Sequence, residues 1–164
     1  MWALLIPTSI LIASVVDDLK TRKVHNWLIL TMAGVAALYQ LIANGFPGLL
    51  NGMIGLGAGI LISLPLVLIK GLGAGDMKVL AVLGLATNWH VAVWTAVYSL
   101  VWGALFGIFQ AVFSGQGLVL AKNTLSLLNK TSRTDIKNLH RIPYTVAMFF
   151  GWLTYLTLNG GFPI

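Results

Sequence analysis

The segment LLNGMIGLGAGILISLPLVLI, Leu49–Ile69, runs without a charge and then breaks at KGLGAGDMK, Lys70–Lys78. About 20 consecutive apolar residues are what an α-helix needs to cross the hydrocarbon core of a bilayer. Gly55 and Gly59 stand at the small-xxx-small spacing that lets helix backbones approach closely, and packing within one bundle is the expected use. Pro65 lacks a backbone donor and predicts a kink.

The rest of the chain is of the same kind. Of its 164 residues, 58% are hydrophobic and 9% charged, and the mean hydropathy is +0.90. A soluble domain carries roughly 25% charged residues, because water must solvate its surface. This chain is therefore expected to be solvated by lipid, as one all-α domain over residues 1–164. It has no cysteine, which excludes disulfides, a thiolate nucleophile and cysteine-ligated metal. The net charge of +6 is not a nucleic-acid footprint, since the basic residues stand singly between apolar runs rather than in a stripe with aromatics. They read as orientation signals and contacts for anionic headgroups.

Six apolar spans can be marked: Trp2–Val16, Trp27–Ala43, Leu49–Ile69, Met77–Ala86, Val91–Phe113 and Ile142–Leu158. The fourth is too short alone and is expected to extend into the glycine-rich turn before it or the Thr87–His90 turn after it. With the N-terminus outside, the inner segments are Asp17–Asn26, Lys70–Lys78 and Ser114–Arg141. They hold every basic residue: Lys20, Arg22, Lys23, Lys70, Lys78, Lys122, Lys130, Arg133, Lys137 and Arg141. The outer turns, Asn44–Gly48 and Thr87–His90, hold none. The positive-inside rule thus predicts six transmembrane helices with both termini outside. Because the basic residues follow the first apolar run, that run reads as a membrane helix and not as a cleaved leader. The one long inner connection, about residues 114–141, is expected to carry an interfacial amphipathic helix over Leu118–Leu128, then a solvated loop.

The four acids are all aspartates: Asp17, Asp18, Asp76 and Asp135. Three lie at the inner ends of predicted spans, where burying a carboxylate costs about 2.5–3.5 kcal/mol on the insertion scale. The topology puts Asp17, Asp18 and Asp76 at one depth. Two carboxylates in one low-dielectric site cannot both ionise cheaply, so they share a proton. Such a pair suits peptide hydrolysis: the ionised member takes a proton from water while the protonated member hydrogen-bonds the scissile carbonyl. The Gly71-Leu72-Gly73-Ala74-Gly75-Asp76 stretch resists helix formation and permits tight turns with positive φ. It is expected to expose backbone groups to which an extended substrate adds as a strand. A plain connecting turn is the bland alternative. A nucleotide loop is disfavoured, because no strand precedes it and the spacing is not GxxxxGK[ST].

Gly73-Ala74-Gly75-Asp76 resembles the GxGD signature of polytopic aspartic peptidases, and Met77-Lys78 continues it as in type IV prepilin peptidases. Asp18-Leu19-Lys20-Thr21-Arg22-Lys23-Val24-His25-Asn26 is similar to that family's other catalytic block, an aspartate, a basic stretch and then typically Ile-Pro-Asn. Arg141-Ile142-Pro143-Tyr144 followed by Gly151 resembles its last helix. The resemblance implies Asp18 and Asp76 as the catalytic pair, with Asp17 accessory. It implies Gly73, Gly75, Asn26 and Lys78 as residues that shape the site. His25 departs from the family's proline, which leaves a titratable group near the site. Larger members add a cytoplasmic domain with paired cysteines and methylate the new N-terminus. This chain resembles the compact peptidase-only members that serve Flp (tight-adherence) pili. The implied substrate is a prepilin whose short basic leader is cut at the cytoplasmic face of a bacterial inner membrane. No cofactor is implied, and the oligomeric state is left open. Since leader and inner loops are both basic, the substrate's apolar helix is expected to supply most of the binding.

His25, His90 and His140 lie singly without an HExxH pair, so no metal site is expected. Lys78 is expected to reach headgroups more than to act on Asp76, and Asn26 to hydrogen-bond near Asp18. The six tryptophans suit interfacial anchoring. Competing functions are a proton-coupled transporter or channel, which predicts acids nearer the midplane, an inactive scaffold, and an unrelated GxGD peptidase.

Overall fold

The computed structural model describes residues 2–69, 71–113 and 144–159. Among them the chain is all-helical: α1 (Trp2–Thr21), α2 (Asn26–Leu68), α3 (Ala74–Ala86), α4 (Trp89–Phe113) and α5 (Tyr144–Leu158). The interfacial helix expected over Leu118–Leu128, the loop after it, Asp135 and His140 lie outside the described residues.

α2 is two limbs joined at Gly45, whose φ of 64° and ψ of −162° are not helical. A positive φ is open to glycine at little cost, and Pro47 in the first turn of the second limb needs no donor there. The limbs run in opposite directions along α3. In the first, Asn26 meets Lys78 and Gln40 meets Leu85 and Thr87. In the second, Gly52 faces Leu85, Gly55 faces Gly84 and Gly59 faces Leu80. The outer turn expected at Asn44–Gly48 is therefore a helix-to-helix reversal. The helix continues past Pro65, and Gly45 is the position of non-helical backbone inside α2.

α3 is the axis of the bundle. Every residue from Val79 to Thr87 is buried, as befits a helix apolar on all sides. Both limbs of α2, α1, α4 and α5 pack around it. Small residues make this density possible. A Cβ on Gly55 would strike the carbonyl oxygen of Gly84, and the reverse holds. Gly103 packs beside the Tyr144 ring, while Gly107 meets nothing nearby. The Gly55–Gly59 spacing thus packs within the bundle along its length, whereas of Gly103 and Gly107, which stand at the same spacing in α4, only Gly103 does. α3 is 13 residues long, about 20 Å at 1.5 Å per residue. It extends back into the glycine-rich turn and stops at Ala86, which settles the direction left open by the sequence.

The bundle is apolar outside and partly polar inside. Ile42 is 83% exposed and Leu30 75%, whereas Ser14, Ser63, Thr95, Ser99 and Thr145 are buried. An apolar exterior of this extent is matched by lipid rather than water. Two of the helices, α2 and α4 through Gln110, are long and apolar enough to cross a membrane.

Candidate active site

α1 does not end at Val16 but runs on to Thr21, so Asp17 and Asp18 sit in its last turns. The end is closed by Arg22, whose φ of 56° is left-handed and whose N–H donates to the Asp18 carbonyl at 2.7 Å. This is the single-bond form of the left-handed helix cap, and it holds the backbone of Asp18.

The two neighbouring aspartates diverge because adjacent helical residues point about 100° apart. Asp18 is buried, and its Oδ2 accepts from Thr145 Oγ1 of α5 at 2.8 Å. Asp17 turns outward to His25. Its Oδ2 accepts the His25 backbone N–H at 2.9 Å, and the ring Nδ1 lies 3.0 Å from both carboxylate oxygens. Those contacts, the backbone donation foremost, hold the Asp17 carboxyl below the usual carboxylate range.

Asp76 stands at the third position of α3, and its Oδ2 accepts the Gly73 N–H at 3.2 Å. This is one half of a capping box, since glycine has no side chain to return the bond. Gly73 has φ −76° and ψ 145°, so the expected positive φ does not occur in this turn. Glycine is required there for space: a Cβ would lie 2.8 Å from Asp76 Oδ2. A Cβ on Gly75 would make ordinary contact with Val24, at 3.6 Å. The turn also uses its own donors. The Gly71 and Leu72 N–H groups both donate to the Leu66 carbonyl, and that of Gly73 to Asp76. Strand addition to these three groups is therefore closed in this conformation.

The fold brings Asp18 and Asp76 within Coulombic reach of each other. Tyr144, which opens α5, lies within such reach of Asp76 and shares a 2.6 Å hydrogen bond with Ser99 of α4. Lys78 donates to Asn26 Oδ1 at 2.8 Å. The amine therefore ties α3 to the start of α2 instead of simply reaching outward, and the partner found for Asn26 Oδ1 is Lys78. Thr145 and Ser99 were not singled out by sequence, and Tyr144 only as part of a helix block. A hydroxyl near the start of the last helix was the signal available for Thr145.

A cavity of about 310 Å³ lined by Tyr39, Gln40, Asn44, Asn51, Thr87 and Asn88, among others, lies at the opposite end of α3 from Asp76. It is not part of this cluster. Among the described residues no group of three or more His, Asp or Glu side chains is placed to hold a metal.

A membrane-embedded helical protein in which a buried aspartate and a half-buried one come within Coulombic reach from separate helices is a candidate peptidase by class. A sequence model of the type IV leader peptidase family matches residues 5–108, a stretch that holds both aspartates, and the chain belongs to that family. It is accordingly a peptidase, with a prepilin-type substrate. Comparisons with curated proteins and with solved structures found no match.

Proposed function

We propose that this chain is an intramembrane aspartic endopeptidase, a single transmembrane domain that removes the short basic leader of Flp-type prepilins. The observation that carries the reading is the convergence of Asp18 and Asp76 at the junction of α1 and α3, beside the start of α5.

The pair shares one proton, as close carboxylates in a poorly solvated site do. The ionised member removes a proton from water as the oxygen attacks the scissile carbonyl carbon. The protonated member hydrogen-bonds the carbonyl oxygen and stabilises the charge developing there. Collapse of the tetrahedral intermediate breaks the C–N bond, with a proton delivered to the leaving amine. Gly73 and Gly75 shape the loop that presents Asp76. Asp17, Asn26 and Lys78 brace the inner ends of α1, α2 and α3.

The chain crosses a bacterial inner membrane six times with both termini outside, which places the aspartates at the cytoplasmic face. The segregation of all Lys and Arg to the inner segments supports this orientation. The prepilin's apolar helix supplies most of the binding, so peptides carrying only the leader are cut less efficiently than full-length prepilin.

The deciding experiment follows cleavage of a full-length prepilin by mass spectrometry, using purified protein in detergent. Asp18→Asn and Asp76→Asn, each shown to be folded, abolish cleavage, and Asp17→Asn retains it. Normal cleavage by all three folded variants would remove the aspartyl mechanism. Loss in Asp17→Asn with Asp18→Asn still active would leave the peptidase standing with Asp17 in the place given to Asp18.

A further inference from the structure

The last helix lies beyond the matched residues 5–108, yet it contacts the proposed catalytic carboxylate directly. We propose that Thr145 is a positioning residue for Asp18. The proposal rests on the peptidase reading and adds to it the group that sets the orientation of one member of the pair.

The terminal torsion of aspartate is broad, so a carboxylate on a rigid helix still rotates unless a partner holds it. Thr145 is such a partner. It is fully buried, Asp18 is 9% exposed, and the hydroxyl donates to Oδ2 at 2.8 Å. The donor is itself stiff, because a β-branched side chain has little freedom at χ1. The hydroxyls of Ser14, Ser63 and Thr87 bond back to the carbonyl four residues earlier in their own helices. The hydroxyl of Thr145 instead crosses to Asp18 of α1.

α5 is held in register for this task by three contacts with two helices. Trp152, two turns on along the same buried face, donates from Nε1 to Thr8 Oγ1 of α1 at 3.0 Å. Gly151 lets α5 close on α4: a Cβ there would lie 2.7 Å from the Ser99 nitrogen. Tyr144 bonds Ser99 on that same helix. The hydroxyl that meets Asp18 is thus clamped between α1 and α4.

The test compares Thr145→Val, which keeps the volume and loses the hydroxyl, with Thr145→Ser, which keeps the hydroxyl and loses a methyl. A hydrogen bond to a charged group corresponds to about a 10- to 100-fold change in rate. Thr145→Val is expected to lower kcat on full-length prepilin by that factor with KM unchanged, and Thr145→Ser to restore most of it. A purely packing role predicts the reverse order, with valine nearer wild type than serine. Melting temperatures confirm folding. Should valine fail to fold, Thr145→Ser against Thr145→Ala gives the same comparison. In parallel, the melting cost of Thr145→Val is measured in the Asp18→Asn background, where it should shrink. Valine equal to wild type, serine worse than valine, or an equal melting cost in both backgrounds overturns the proposal and leaves the peptidase reading standing. Folded wild type that leaves full-length prepilin uncut overturns the peptidase reading, and this inference with it.

Discussion

Gly73→Ala should separate stability from activity. The backbone at Gly73, φ −76° and ψ 145°, is open to alanine, so the substitution introduces no strain. Its conflict is with one atom: the new Cβ would stand 2.8 Å from Asp76 Oδ2, with Asp76 Cγ at 3.7 Å. Restoring ordinary contact requires the carboxylate oxygen to retreat by about 0.5 Å, which is already the tolerance of a productive catalytic arrangement. The same retreat weakens the Gly73 N–H bond that holds Asp76. The yielding atom is the end of a side chain, so folding is little affected. In the proposed mechanism catalysis depends on that atom's place, and a displacement of this order is expected to lower the rate by about 10- to 100-fold. The assay is prepilin cleavage resolved into kcat and KM, with thermal melting on the same preparation. A wild-type rate would refute the claim that glycine is required there to make room for the carboxylate. So would a melting loss as large as that of a bundle-core substitution.

Gly84→Ala is such a substitution. Its Cβ would meet the Gly55 carbonyl oxygen, a backbone atom that cannot turn aside, and overpacking of this kind costs about 1–3 kcal/mol. Its melting temperature should fall well below that of Gly73→Ala, and equal values would contradict the assignment. Lys78→Met removes the bond to Asn26, an exposed contact worth about 1 kcal/mol or less. Cleavage should change only modestly, and abolition would show that the amine serves the aspartates. Asp17 supplies a pH test. Its carboxyl is held low chiefly by the His25 N–H, so its contribution to stability is complete above the ordinary carboxylate pKa. That contribution is lost as pH falls through the lowered value. The difference in melting temperature between wild type and Asp17→Asn should therefore persist above the ordinary carboxylate range and shrink as pH falls through the lowered value. A difference that grows as pH falls through that range would reverse the sign of the argument.

Apolar run length, the placement of Lys and Arg, and the rarity of acids are local properties of the chain. They sufficed for the helical class, for the approximate limits of the described apolar segments, and for singling out Asp18 and Asp76 as candidate site residues, which the fold brings within Coulombic reach of each other. They sufficed because lipid solvation selects strongly against charge in every span. Boundaries were less legible. α1 carries on through Asp17 and Asp18 to an arginine cap that apolar periodicity does not register. The glycine-rich turn was misread in its reason: Gly73 is needed for the space its missing Cβ leaves to Asp76, and positive φ occurs instead at Gly45. Partnerships across the bundle were not legible at all. Thr145 with Asp18, Tyr144 with Ser99, Lys78 with Asn26 and the close approach of Gly55 to Gly84 all join residues from separate helices. Which helices become neighbours follows from how small residues let their backbones approach, a property of two surfaces together that neither segment's sequence expresses alone.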